Sequence, residues 1–283
     1  LKNALTVDLE FWHSAELIRR HINRYKFSVS DIIYETTESI LDMFNDYGVK
    51  ATFFILGEVA VKYPELIKDI KKKKHEIASH SFTHRPLYDM TPEDFKKEIL
   101  NSISVIRKIT GDSPLGFRAP SFSLNKQTSW ALKILEEFGF KYDSSIFPVR
   151  TYLYGMYDAP TQPYLPNISD PSKKDPNSRI IEFPLTVYKI DGIRIPIAGG
   201  FYLRLLPLKL VINLYRKLND SGKLIILYFH PWEMYENLPR VNLPFLDKFV
   251  TYYGIKSMKN KIENILTKFE FYPIMDIIDH FYH

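Results

Sequence analysis

Short apolar runs alternate with amphipathic ones through the first half of the chain, and that alternation constrains the fold more than any other feature. Ala4 to Phe11 reads as a strand, Asp31 to Tyr47 as a helix and Ala51 to Leu56 as a buried strand. Pro64 to Lys73 is a helix with proline at a favoured early position. Glu76 to Ser79 is a short strand, and Thr91 to Thr110 a long helix opened by Thr-Pro-Glu-Asp, a strong start signal. Strand-like Gly116 to Ala119, helical Lys126 to Phe138 and strand-like Tyr142 follow. Strands alternating with helices argue for a parallel α/β sheet, and five or more such units for a barrel. Phe147 to Arg179 breaks the rhythm with Pro, Tyr, Asp, Asn and Ser, as an insertion loop would. The pattern then resumes with strands at Ile180 to Tyr188 and Ile193 to Ile197, a helix over Pro207 to Leu218, a buried strand over Leu224 to Phe229 and a closing helix over Met258 to Phe269. No repeat or linker divides the 283 residues, and barrels of about 250 residues fold as one unit, so residues 1–283 are expected to form a single domain with an insertion around 147–179.

Composition narrows the function. With 45% hydrophobic and 25% charged residues the chain is neither disordered nor fibrous. The absence of cysteine excludes thiolate zinc sites, a cysteine nucleophile and disulfide staples. A net charge of +5 is modest for this length, and without a basic-aromatic stripe no nucleic-acid partner is expected. Lys71 to Lys74, the longest basic run, closes a helix, where cations are favoured. No apolar run approaches the ~20 residues of a transmembrane segment. The first strand starts so early that no signal peptide precedes it, which makes the cytoplasm the expected location; the alternative is a removed leader, since the chain opens at Leu1 without methionine.

Chemistry concentrates at the ends of strand-like runs, where the active sites of such barrels lie. Asp8 and Glu10 share a face in Thr6-Val-Asp-Leu-Glu-Phe11. His80 and His84 converge if the chain turns helically after its strand, and imidazoles suit zinc; His75, just before them, reads as structural or exposed. His230 ends the apolar run Leu224 to Phe229. Arg118, in Gly116-Phe-Arg-Ala-Pro-Ser-Phe-Ser123, can grip a carboxylate with its planar fork. Backbone after Pro120 could offer an N–H to an oxyanion. On spacing alone each also has a structural reading: a solvent-facing acid, a chance histidine pair, a hydrogen-bonded histidine, an ion-paired arginine. Together they make a kit for metal-assisted hydrolysis of an amide or ester. Asp276, Asp279, His280 and His283 read as a solvated terminal helix.

In this order the segments resemble the polysaccharide deacetylases of carbohydrate esterase family 4. The match comprises the acid pair, Ala51-Thr-Phe-Phe54, His80-Ser-Phe-Thr-His84, Arg118-Ala-Pro120 and the strand ending in His230. It is closest to the subfamily found at exopolysaccharide loci, through Tyr142-Asp-Ser-Ser-Ile-Phe-Pro148, Ala198-Gly-Gly-Phe-Tyr-Leu-Arg-Leu-Leu-Pro207 and Phe229-His-Pro-Trp-Glu233. The resemblance implies a distorted (β/α) barrel of about seven parallel strands, of the NodB-homology type. It implies one divalent metal ion, usually zinc, and an N-acetylated glycan as substrate. Carried over residue by residue, His80 and His84 are metal ligands, Asp8 the catalytic base, Arg118 its tether, His230 the general acid, and Ser121 a donor to the oxyanion through its N–H. Phe147, Tyr202 and Trp232 are candidate walls for a sugar ring, with core packing the alternative.

Two positions depart from the family pattern. The usual first motif has adjacent acids, whereas Leu9 separates Asp8 from Glu10 here; Glu10 is taken as the third ligand, with Asp8 as the alternative. Ile146 stands where many members carry an aspartate paired with the acidic histidine, which leaves Asp143 or Glu233 to orient His230. Two other functions stay open: an amidohydrolase of the same fold acting on a non-sugar amide or cyclic ureide, and a metal-free carbohydrate-binding barrel. The oligomeric state is open, a homodimer among the options.

Overall fold

The computed structural model describes residues 2–22, 32–151 and 154–278. In chain order the elements are β1 (Asn3–Leu9), α1 (Glu16–Arg19), α2 (Ile32–Asp46), β2 (Thr52–Ile55), α3 (Gly57–Lys62), α4 (Pro64–Lys72), β3 (Glu76–Ser79), α5 (Pro92–Thr110), β4 (Gly116–Phe117) and α6 (Trp130–Glu137). There follow β5 (Tyr142–Asp143), β6 (Ile181–Glu182), β7 (Val187–Ile190), β8 (Ile193–Pro196), α7 (Gly200–Leu205), α8 (Leu208–Asp220), β9 (Ile226–Phe229), α9 (Phe245–Tyr252), α10 (Ile255–Leu266), β10 (Phe271–Tyr272) and α11 (Met275–Ile278).

Seven strands pair in parallel in the order β9-β1-β2-β3-β4-β5-β6 and curl into a partial barrel. Side chains alternate across each strand, and the two faces differ in what they carry. Leu5, Val7, Leu9, Phe53, Ile55, Leu227 and Phe229 pack outward against α2, α4, α8 and α10 in the main core. Ala4, Phe54, Ile226 and Tyr228 belong to a second core, on the opposite face of the same strands. Thr6 and Asp8 follow Ala4 in that inward register. β10 pairs only with the start of β1: the Asn3 N–H donates to Glu270 O (3.2 Å), while the Ala4 N–H donates to Ile225 O beside β9 (2.8 Å). β10 therefore stands end-on to β2, and the Ile274 N–H just beyond it reaches Thr52 Oγ1 at 2.9 Å.

No strand pairing joins β6 to β9. The Thr186 hydroxyl donates to Ile226 O (3.1 Å) and accepts from the Ile226 N–H (2.6 Å), and Ala198 O accepts from the Tyr228 N–H (2.9 Å). Gly199 bridges Tyr228. A Cβ on Gly199 would stand 1.7 Å from Tyr228 O, so only glycine allows this approach.

Several elements differ from the sequence expectation. The strand read over Ile180–Tyr188 is two, because Pro184 has no N–H for a ladder. β7 leaves the barrel and pairs antiparallel with β8 around Asp191-Gly192, where both φ are positive (47° and 81°). Within the segment read as an insertion, Met156, Ala159 and Tyr164 are buried, and bridges join Tyr164 to Glu182 and Pro166 to Lys174. Helices α1, α3, α7 and α9 and strand β10 were not expected. Asp31, Asp279, His280 and His283 lie outside the described residues.

Candidate active site

The inward register of β1 ends at Asp8, whose Oδ1 accepts from Arg118 Nη1 at 2.7 Å. The guanidinium is fully buried and donates also to Thr6 Oγ1 (2.9 Å), Ser144 O (2.9 Å) and Ser144 Oγ (2.7 Å). It also lies 4.1 Å from the centre of the Phe54 ring. Held by these four hydrogen bonds, Arg118 presents Asp8 with a fixed orientation.

Glu10 lies just past the strand, where the chain turns back so that the Glu10 N–H donates to Asp8 O at 3.2 Å. Its carboxylate enters the same space and meets His84 Nε2, with His80 Nε2 3.6 Å away. His80 Nδ1 is paired with Arg118 O at 2.8 Å, which leaves Nε2 for the site. Between the two histidines the chain takes left-handed φ values at Ser81 (66°) and His84 (63°). Glu98 on α5 holds that loop, accepting from Ser81 Oγ, the Phe82 and Thr83 N–H groups and Thr83 Oγ1 at 2.8–3.0 Å. Glu10, His80 and His84 are all buried, and their ligand atoms lie within 4.8 Å of one another. One carboxylate and two imidazoles with open positions beside them fit a borderline-soft divalent ion such as zinc. Burial opposes charge on Glu10, yet His84, His230 and His80 hold its carboxyl well below the usual carboxylate range.

His230 extends the inward register of β9. Its Nε2 lies 3.7 Å from Glu10 Oε1 and 3.9 Å from Asp8 Oδ2. On its other side Nδ1 pairs with Glu233 Oε2 at 3.0 Å, and Glu233 Oε1 accepts from Arg204 Nε at 2.8 Å. Trp232 stacks on the imidazole with ring centres 5.2 Å apart. Burial would lower the His230 pKa, but Glu10, Glu233 and Asp8 outweigh it and raise it to about 9. These groups border one open cavity, walled further by Ser121, Tyr154, Tyr228, Phe201 and Val250.

Residues 27–142 match the family model for polysaccharide deacetylase, and residues 144–279 match that of a domain of unknown function (DUF3473). The chain carries a polysaccharide deacetylase domain. A peptidoglycan-N-acetylglucosamine deacetylase of Bacillus cereus is 34% identical over 98 residues, 34% of this chain and 36% of that protein. The chain thus spans about a third of that relative's length. A Mycobacterium smegmatis crystal structure classed with the polysaccharide deacetylases has the same fold, with a TM-score of 0.62 and 22% identity over 98% of this chain and 88% of that one. A CE4 family pseudoenzyme from Bacillus anthracis shares the fold at a TM-score of 0.50 and 12% identity, over 97% of this chain and 64% of its own.

Asp8, Glu10, Arg118, Ser121, His80, His84, His230, Glu233 and Trp232 meet at the cavity or directly behind it, although Asp8 and Glu10 precede the residues matched to the deacetylase model and His230, Trp232 and Glu233 follow them. Ser121 adopts φ 54°, and its hydroxyl donates to Glu16 Oε2 at 3.2 Å. Three expected residues lie elsewhere. Asp143 does not orient His230: the β5–β6 register sets it beside Glu182, and its Oδ1 accepts from Ser145 Oγ at 2.5 Å. Burial raises both carboxyls, Asp143 to about 6, and the nearby Asp143 charge raises Glu182 further. Phe147 is buried among Phe122, Tyr154 and Tyr202 and packs the barrel core instead of walling the cavity. Tyr202 packs against Phe147 at that core's edge, and its neighbour Phe201 faces the cavity. Glu98, Arg204, Glu16 and Tyr154 were missed. Only Arg204 carried a signal, as part of the Ala198–Pro207 motif. Among the described residues no helix is long and apolar enough to cross a membrane.

Proposed function

We propose that the chain hydrolyses N-acetyl groups from an amino-sugar glycan, releasing acetate, with one divalent ion, zinc by its donor set, held by Glu10, His80 and His84. The observation that carries the reading is the meeting of this trio, the Asp8–Arg118 pair and the His230–Glu233 pair in one cavity. The similarity to a peptidoglycan-N-acetylglucosamine deacetylase supports an N-acetylated sugar as substrate.

When bound, the ion supplies Lewis-acid polarisation of the amide carbonyl and makes the attacking water more acidic. Asp8, oriented by Arg118, takes the proton from that water at Oδ2, the oxygen that Arg118 leaves free. The Ser121 N–H donates to the oxygen of the tetrahedral intermediate. His230 delivers a proton from Nε2 to the departing nitrogen, while Glu233 on Nδ1 steadies the imidazolium before transfer. Acid and base stand 3.9 Å apart, Nε2 to Oδ2, and so address the same reacting amide.

Elemental analysis of purified protein, with acetate release from acetylated chito-oligosaccharides before and after chelation, tests the reading. About one ion per chain and chelator-sensitive acetate are expected, and His80→Ala/His84→Ala should lose the ion. Failure to bind metal under saturating zinc, or full activity in Asp8→Asn, would overturn it.

A further inference from the structure

Helix α9 exposes aromatic side chains that the chemistry above leaves unused. Phe245 is 82% exposed, Phe249 40% and Tyr253, just past the helix end, 43%. At spacings of i, i+4 and i+8 they share one face, about 6 Å apart per step along the axis. Phe249 and Tyr253 have ring centres 4.9 Å apart, and Phe249 meets Phe201 edge-on at 5.8 Å. Phe201 lines the catalytic cavity, as do Val250 and Thr251 of the same helix. The row of rings therefore starts beside the cavity wall, through Phe201, on a face of α9 next to the one that carries Val250 and Thr251.

Its placement is tightly fixed. Arg204, whose Nε holds the Glu233 partner of His230, also donates to the carbonyls of Val250 (2.9 Å), Thr251 (3.2 Å) and Tyr253 at the end of α9. His21 Nε2 pairs with Asp247 Oδ2 at 3.0 Å near the start of the helix. One guanidinium thus sets both the proton-bearing imidazole and the aromatic row.

We infer that this face of α9 is a rail that holds sugar rings of the glycan beyond the residue being deacetylated; this rests on the deacetylase reading above. Sugar rings offer C–H faces that lie on aromatic rings and hydroxyl edges that need polar partners. The rail has both, since Asp247, Lys248 and the Tyr253 hydroxyl accompany the rings. Continuity with the cavity favours a glycan over a bilayer or a second copy of the chain, neither of which needs its contact led into a catalytic centre.

The test compares acetylated chito-oligosaccharides of two and six sugars on zinc-loaded wild type, Phe249→Ala/Tyr253→Ala and the surface control Val61→Ser, by kcat/KM for acetate release and by calorimetric binding. The hexamer-to-dimer ratio of kcat/KM should fall about tenfold in the double variant, the worth of the lost ring contacts, and stay at the wild-type value in the control. Acetate release with an unchanged ratio overturns the rail and leaves the deacetylase reading standing. Absent acetate release with hexamer binding that weakens in the double variant keeps the rail and removes the deacetylase reading. Hexamer binding that is absent, or equal in both proteins, overturns the rail. Co-sedimentation with phosphatidylglycerol vesicles, or a dimer in light scattering, that is lost in the double variant reassigns the face to lipid or to a second copy, and also overturns it.

Discussion

Replacing Glu233 by glutamine removes one negative charge from a fully enclosed chain of groups and should damage stability and catalysis separately. Glu233 is 1% exposed and Arg204 3%, and the pair is 2.8 Å apart, so neither charge can turn to water. Burial works against the Glu233 carboxylate, and Arg204 and His230 pull its pKa below the usual range. Breaking a buried pair by neutralising one member costs about 3–5 kcal/mol. Glutamine keeps an acceptor for Arg204, which places the cost near the lower end. At about 2–4 °C per kcal/mol for a domain approaching this size, the melting temperature should drop by about 6–12 °C. His230 keeps its place just past β9 but loses the carboxylate that accepts its Nδ1 proton, so kcat should fall by about a hundredfold, within the range of general-acid contributions, while KM changes little. Thermal melts of zinc-loaded protein and initial rates of acetate release measure the two effects. A variant melting within about 2 °C of wild type, with kcat within about twofold, would refute the reasoning.

His75 accepts the Ala51 N–H at Nδ1 (3.2 Å), which needs a neutral ring, and burial, aided by Lys50 and Lys73, lowers its pKa to about 4. The unfolded imidazole takes up its proton first, at about 6.5, so stability should be full above that pH and fall by about 3 kcal/mol on reaching pH 4; urea titrations in which His75→Gln keeps the same pH slope would contradict this. Glu98→Ala releases all four donors of the 81–83 loop and should weaken zinc binding by about 10–100-fold, read by competition with a chelating dye; unchanged affinity would show that the loop holds itself. Arg118→Lys keeps the charge but loses the fork shared by Asp8, Thr6 and Ser144, so kcat should drop at least tenfold, and a wild-type rate would remove orientation of Asp8 from the mechanism. Zinc at a hundredfold over its Kd should add about 3 kcal/mol to stability, and an identical melt with and without chelator would mean that the trio binds nothing.

The centre of the site was legible because period-two alternation carries one face of each strand to its end. Asp8 and His230 stand where inward positions run out, and His80, His84 and Arg118 follow their strands closely enough to enter the same space. Glu10 was placed on the correct side although it lies past the strand, since the turn at Asp8 O returns its carboxylate inward. The groups that support these residues were hidden. Glu98 is one charged position among many on a charged helix, and its partners sit about 16 residues upstream. Arg204 lies on a short helix after two glycines, and its partners are 29 to 49 residues away. Aromatic content could not separate Phe147, buried in the core, from Phe201 at the cavity. Strand propensity ran through Pro184, where the missing N–H ends the ladder.

The position of β1 has a consequence for how the protein comes into being. That strand is made before the others of its sheet, yet it lies between β2, made about fifty residues later, and β9, which pairs with it across more than 200 residues of chain. Asp8 and Glu10 can meet His80 and His84 while the polypeptide is still being synthesised, but His230 reaches them only after β9 has emerged. On the proposed reading, a growing chain assembles its metal-binding trio long before its general acid, acquiring affinity first and reactivity last.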